Sequence, residues 1–177
     1  MVQSAALLMR EHGVENTSFS QVLAHSGAPR GSIYHYFPGG KAQLIEEATR
    51  WAGEFVAQAM VRGLESGDPL AILDAWPRFW GEVLRTSDFA AGCPIAAASM
   101  DPAARVTSGE VFRRWQEVFA GGLAERGVPA DRAASLATMA FAGIEGAVIL
   151  ARAERSLEPI DRTVAELRRM VEEALRA

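Results

Sequence analysis

Between residues 17 and 41 the chain collects the side chains with the most chemistry to offer: Thr17, Ser18, Arg30, Gly31, Ser32, Tyr34, His35 and Lys41. They supply a forked guanidinium, hydroxyls, a phenol, an imidazole and an ammonium, beside a glycine that permits close approach. Such groups suit phosphate oxygens and base edges in a major groove. Arg30 has the best claim to a base, because a guanidinium can bind guanine O6 and N7 together. Thr17 and Ser18 stand at a helix start, where hydroxyls can donate to phosphate; capping is an equally good use of Ser18.

Local signals say how these groups are held. Ser18 and Gln21 have the spacing of a capping box, which predicts a helix from Phe19. Gly27 can take the left-handed conformation that ends it, and Pro29 suits the first position of a second helix over about 29–36. Ile33 and Phe37, four apart, would anchor that helix and leave Arg30, Gly31, Ser32, Tyr34 and His35 outward. An earlier helix carries Val2, Ala5, Ala6, Leu8 and Met9 on one side and stops at Gly13. Val14, Phe19, Val22, Leu23, Ile33, Phe37 and Leu44 would form a small three-helix core. On local pattern alone this is either a helix-turn-helix or a capped surface hairpin with ordinary polar residues.

The remaining sequence is helical throughout, with no strand alternation and no internal repeat. After Pro38-Gly39-Gly40 a long helix begins near Lys41, with Leu44, Ile45, Ala48, Ala52, Phe55, Val56 and Ala59 on one face. Residues 63–68 read as a connector. Pro69 opens a helix that is apolar nearly all round, with Pro77 inside it. A shorter helix starts near Pro94, and another spans about 108–126. A helix over about 130–153 is dense in small residues, and the last one carries Ile160, Val164, Leu167, Val171 and Leu175 on a single stripe.

Composition narrows the classes. The 177 residues carry a formal charge of −4 and a single cysteine. A negative chain has no basic coat, so nucleic-acid binding would rest on a few placed contacts. One cysteine rules out an intrachain disulfide and fits a reducing cytoplasm. No signal peptide is visible and no apolar run is expected to reach the length that spans a bilayer. The three histidines, His12, His25 and His35, fall on separate helices with no Cys/His cluster, so neither a metal nor another cofactor is expected. Cys93, between Gly92 and Pro94, reads as a packed residue at a helix start.

Gly27-Ala-Pro-Arg-Gly-Ser-Ile-Tyr-His-Tyr-Phe37, followed by Lys41 and Leu44, resembles the DNA-binding segment of the TetR/AcrR family of bacterial transcriptional regulators. The likeness covers roughly residues 4–50, and Gly92-Cys-Pro-Ile95 resembles a multidrug-responsive subgroup. It implies an all-α protein: a helix-turn-helix domain over 1–46, then a helical ligand-binding and dimerisation domain over 47–177. It further implies a dimeric repressor that binds double-stranded operator DNA and is released by a small-molecule inducer. Tyr34 and His35 resemble positions that touch phosphate and base edges, and Lys41 one that meets phosphate. Three features depart from the family: the sequence as given shows no basic arm ahead of the first helix, so either the arm is absent or the true start lies upstream; Pro29 replaces a hydroxyl residue; and the turn at 38–40 is one residue longer.

Trp76, Phe79, Trp80, Phe89, Met100, Phe112, Trp115, Phe119 and Met139 suit a cavity for an apolar or planar ligand, and equally an ordinary core. Small side chains at Ala140, Gly143 and Ala147 let another helix come close. The resemblance implies that this face, with Val164, Leu167 and Val171, makes a four-helix dimer interface. The rival readings are a helical binding protein without a DNA role, and an enzyme using Glu145 as a buried acid or base. No nucleophile–base pair or phosphate loop accompanies Glu145.

Overall fold

The computed structural model describes residues 1–65 and 67–177; Ser66, inside the expected connector, lies outside them. Among the described residues the chain is helices and connecting turns, without a strand. In order these are α1 Val2–His12, α2 Phe19–Ser26, α3 Ser32–Tyr36, α4 Gly40–Leu64 and α5 Leu70–Thr86. They continue as α6 Pro94–Ser99, α7 Arg105–Ala124, α8 Ala130–Glu154 and α9 Glu158–Arg176.

Two compact units arise from this chain. The first comprises Met1–Phe55 and Ala91–Phe112, the second Val56–Ala90 and Arg113–Ala177. Contacts therefore divide the chain within α4 at residue 55, beyond the boundary expected near 47, and return 91–112 to the first unit. The reason is packing: α1 lies against both α2 and α6. The Gly92 N–H donates to the Arg10 carbonyl at 2.7 Å. Inside α6–α7 the buried Ser108 hydroxyl donates to the Ile95 carbonyl at 2.9 Å.

The core of the first unit holds Ala5, Met9, Val14, Val22, Ile33, Phe37, Leu44 and Ile45, all buried. Phe19 and Leu23 are only half-buried, because α2 turns one edge to solvent. α4 meets α7 closely at Gly53, where an added Cβ would lie 2.6 Å from both Val111 methyls. Alanine at 53 would gain about 1 kcal/mol of helix propensity. Crowding a β-branched neighbour costs about 1–3 kcal/mol, and Val111 has few rotamers into which to retreat. Gly53→Ala is therefore expected to lower Tm by a few degrees, with Val111→Ala restoring it in the double variant. A raised Tm in the single variant would show that Val111 swings clear.

In the second unit α9 packs along α8 and α5. α5 is not apolar all round: Asp74, Arg78, Phe79 and Glu82 face solvent. Asp74 uses that position to bind Arg168 on α9, which raises the already high guanidinium pKa through this hydrogen bond first. Gly63 and Leu64, assigned to the connector from sequence, belong to α4. α7 starts at Arg105, three residues earlier than expected, because Asp101 accepts from the Ala103 and Ala104 N–H groups ahead of it.

One expectation about the last helices needs correction. α8 is long and apolar enough to cross a membrane by length and composition, although no such run was expected. Its residues Ala133, Leu136, Ala140, Phe141, Ile144, Ala147, Val148 and Ala151 are buried, as the core face of a packed helix would be. The small-residue face packs against its own chain. Ala140, Ala147, Val164, Leu167 and Val171 are buried, and a Cβ at Gly143 would meet the Thr163 methyl at 3.2 Å and Leu167 at 3.6 Å. Gly143, half-buried, thus faces α9 of its own chain, and the other five are buried in the single chain.

Candidate nucleic-acid interface

α2 is fixed at both ends. Ser18 accepts from the Gln21 N–H at 3.3 Å while its own N–H donates to Gln21 Oε1 at 2.8 Å, so the capping box is complete. At the other end Gly27 has φ 68°, and its N–H returns to the Leu23 carbonyl at 3.0 Å. A residue with a Cβ would be strained there.

α3 is shorter than expected. It begins at Ser32, not Pro29, with Gly31 as its N-cap. Pro29, Arg30 and Gly31 instead make the turn into it. The Pro29 carbonyl accepts from the Ser32 N–H at 3.0 Å and from the Ser32 hydroxyl at 2.6 Å. Proline at 29, lacking a side-chain hydroxyl, thus serves through its carbonyl, and the Ser32 proton is spent on the turn. Ile33 and Phe37 are buried and seat α3 on the core.

What α3 and its turn turn outward is rich in polar groups. Arg30, Gly31, Tyr34, His35 and Tyr36 are exposed. Arg30 forms no ion pair among the described residues. A Cβ at Gly31 would meet nothing within 4 Å, so the space above this backbone is open to an approaching partner. Tyr34 is 73 % exposed, with its ring edge on Phe19 at 6.0 Å. His35 and Tyr36 stand edge to face at 5.1 Å. Tyr36 was passed over in the sequence, although an aromatic outside the Ile33/Phe37 anchor face signals a surface phenol.

Thr17 does not join this surface. It is 1 % exposed, and its hydroxyl donates to the Gly13 carbonyl at 2.8 Å, closing the turn after α1. Lys41 is half-buried, and its Nζ donates to the Glu15 carbonyl at 2.8 Å. Gln43 completes the α3–α4 turn, accepting from the Gly39 N–H at 2.8 Å and donating to the Tyr36 carbonyl at 3.3 Å.

The residues expected to line one ligand cavity fall in both units. Met100 and Phe112 belong to the first unit, Trp76, Phe79, Trp80, Phe89, Trp115, Phe119 and Met139 to the second. Met100, Phe79 and Met139 are exposed, each standing on the outer face of its segment. Trp76, Trp80, Trp115 and Phe119 are buried. Phe141 joins Trp76 and Trp115, with ring centroids 5.7 and 5.8 Å away. Phe89 is half-buried under the Arg155 guanidinium, 5.5 Å from its ring centre. Glu145 is half-buried on α8, and the described residues hold no group of His, Cys, Asp and Glu fit for a metal ion.

Known proteins share this arrangement. Residues 2–48 match the bacterial regulatory proteins of the tetR family, and residues 69–166 the C-terminal domain of LmrA/YxaF-like transcriptional regulators. An uncharacterised HTH-type transcriptional regulator of Mycobacterium tuberculosis is 45 % identical, over 97 % of this chain and 92 % of its own length. The HTH-type transcriptional regulator LmrA of Bacillus subtilis is 26 % identical over 90 % and 88 %. Among solved structures, the regulatory protein TetR from Rhodobacter sphaeroides superposes with a TM-score of 0.83 at 23 % identity, covering 96 % of this chain and 95 % of its own. Two matched segments, a full-length relative at 45 % identity and a shared fold agree: the chain belongs to the TetR family of transcriptional regulators.

Proposed function

We propose that the protein is a homodimeric repressor that binds operator DNA through α2–α3 and leaves it when a small apolar or aromatic molecule binds. Residues 1–46 are its DNA-reading part, and 47–177 carry ligand binding and dimerisation. The observation that carries the reading is the exposed set Arg30, Gly31, Tyr34, His35 and Tyr36 on a turn and helix locked by the capping box, Gly27 and the Pro29 carbonyl. Arg30 at the entry of α3 is where such helices meet base edges, with Ser18, Tyr34, His35 and Lys41 toward phosphate.

Dimerisation on this reading uses the other side of α8. Met139, Ala142, Ile149, Leu150 and Ala153 are exposed along one stripe, and Gly146 is open within it. An apolar stripe of this length favours a copy of itself in a two-fold pair. The two α3 helices would then enter successive major grooves, roughly 34–36 Å apart for half-sites one turn apart. The buried ring cluster Trp76, Phe141 and Trp115, with Trp80 and Phe119, is the preferred surround for an inducer, whose release of DNA requires tighter binding to the DNA-incompetent arrangement.

An electrophoretic mobility shift with DNA from upstream of the protein's own gene tests the reading. A shift that survives excess unrelated DNA is expected. A folded dimer that shifts specific and unrelated DNA alike would leave the binding-protein or enzyme alternatives standing.

A further inference from the structure

The first unit contains a cleft of about 760 Å³ that shares only Lys41 with the DNA-reading surface. Its walls come from the turn after α1, the start of α4, and α6 with the turn that follows it. Val14, Ile45, Ala97 and Pro102 supply apolar surface, and Met100, 86 % exposed, stands over it. That volume lies in the range of small-molecule sites, and an uncovered methionine beside such a cleft is adaptable apolar surface.

The polar groups in the lining are unequal. Lys41 is half-buried and held in place by its bond to the Glu15 carbonyl, which leaves two of its three N–H donors to point elsewhere. Asp101 Oδ1 accepts from the Ala103 and Ala104 N–H groups ahead of α7. Glu15 and His12 are exposed to water, and Asn16 donates to the His12 carbonyl. Lys41, fixed by that bond beside an apolar floor, is the one lysine or arginine in the lining and keeps donors for a ligand anion.

We propose that this cleft binds an amphipathic monoanion, an apolar body carrying a carboxylate, sulfonate or phosphate, with Lys41 receiving the anionic group. The bound molecule takes the donors Lys41 would turn to a DNA phosphate, and it joins α1 and α4 to the α6–α7 turn within the unit that carries α3. It is a second effector site, distinct from the ring cluster around Trp115, and its effect on DNA rests on the repressor reading above.

Decanoate is the probe, with decanol and decylammonium as matched neutral and cationic chains, and ¹³C-methyl methionine spectra of the full-length protein as the readout. Six methionines give six reporters, of which Met100 marks the cleft and Met139 the second unit. Decanoate is expected to shift the Met100 signal saturably. Lys41→Gln should weaken decanoate at least tenfold and leave decanol unchanged, and Ala103→Trp should block both by filling the cleft. Ala103 is exposed, so the remaining methyl signals of that variant check its fold. A shift at Met139 with Met100 unmoved, an equal or tighter response to decylammonium, or indifference to Lys41→Gln overturns the site. In mobility shifts, saturating decanoate should weaken operator binding at least tenfold for the native chain but not for Ala103→Trp. Equal operator affinity with and without decanoate removes the regulatory role. The methyl spectra need no DNA, so they decide the site even if the protein shifts no operator.

Discussion

Ile149→Arg is expected to convert the proposed dimer to a monomer and to weaken operator binding by about 10²–10⁴-fold, the avidity lost when two half-sites are no longer engaged by one assembly. The residue is 62 % exposed in the single chain, so arginine costs its own fold little. In a two-fold interface the same substitution occurs on both sides of the axis. It buries two unpaired guanidinium groups near one another, and an unpaired buried charge costs several kcal/mol. Thermal unfolding separates the two levels: at low concentration the variant should keep helical content, while sedimentation shows one chain. Gly143→Val is the contrasting case, because its Cβ meets Thr163 and Leu167 of the same chain. It should lower stability first and affect association only as a consequence. A dimer undisturbed by Ile149→Arg but split by Gly143→Val would place the interface on the α8–α9 seam after all.

That contrast also shows where the sequence is legible. Devices that close within a few residues were readable: the Ser18/Gln21 box, the Gly27 turn, and the Ile33/Phe37 anchor of α3. Residue types and spacing carry all the information such devices need. Pairings across long separations were not readable. Lys41 reaches Glu15, 26 positions away. Thr17 is a local exception: its Gly13 acceptor is four residues back, but a hydroxyl ahead of a helix suits a turn carbonyl and a phosphate equally. The small residues of α8 marked a face that accepts a close helix, and periodicity could not say whose helix. Here it is α9 of the same chain. The exposure of Phe79, Met100 and Met139 was not readable for the same reason, since an apolar residue at helical spacing specifies a face but not what covers it. The start of α3 moved from 29 to 32 because proline is compatible both with a first helical position and with a turn, and the Pro29 carbonyl bonds to Ser32 select the turn.

Arg30→Ala carries the second large effect. Lying in the turn ahead of α3, with Gly31 open beside it, Arg30 can approach a groove without moving the helix. If it reads guanine O6 and N7, its loss costs about 1–3 kcal/mol per half-site. Both half-sites lose it together, so the dimer loses about twice that, with preference relaxed at one position in each half-site. Arg30→Lys discriminates the two uses of the charge. An ammonium can replace a guanidinium at phosphate, but it lacks the fork that holds two acceptors in a fixed plane. Base reading therefore predicts that lysine recovers part of the affinity but none of the lost preference. Phosphate contact predicts that alanine weakens all sequences uniformly, that the salt dependence falls by about one ion per half-site, and that lysine restores both. Affinity measured on the operator and on a variant changed at the candidate guanine, at two salt concentrations, separates these outcomes.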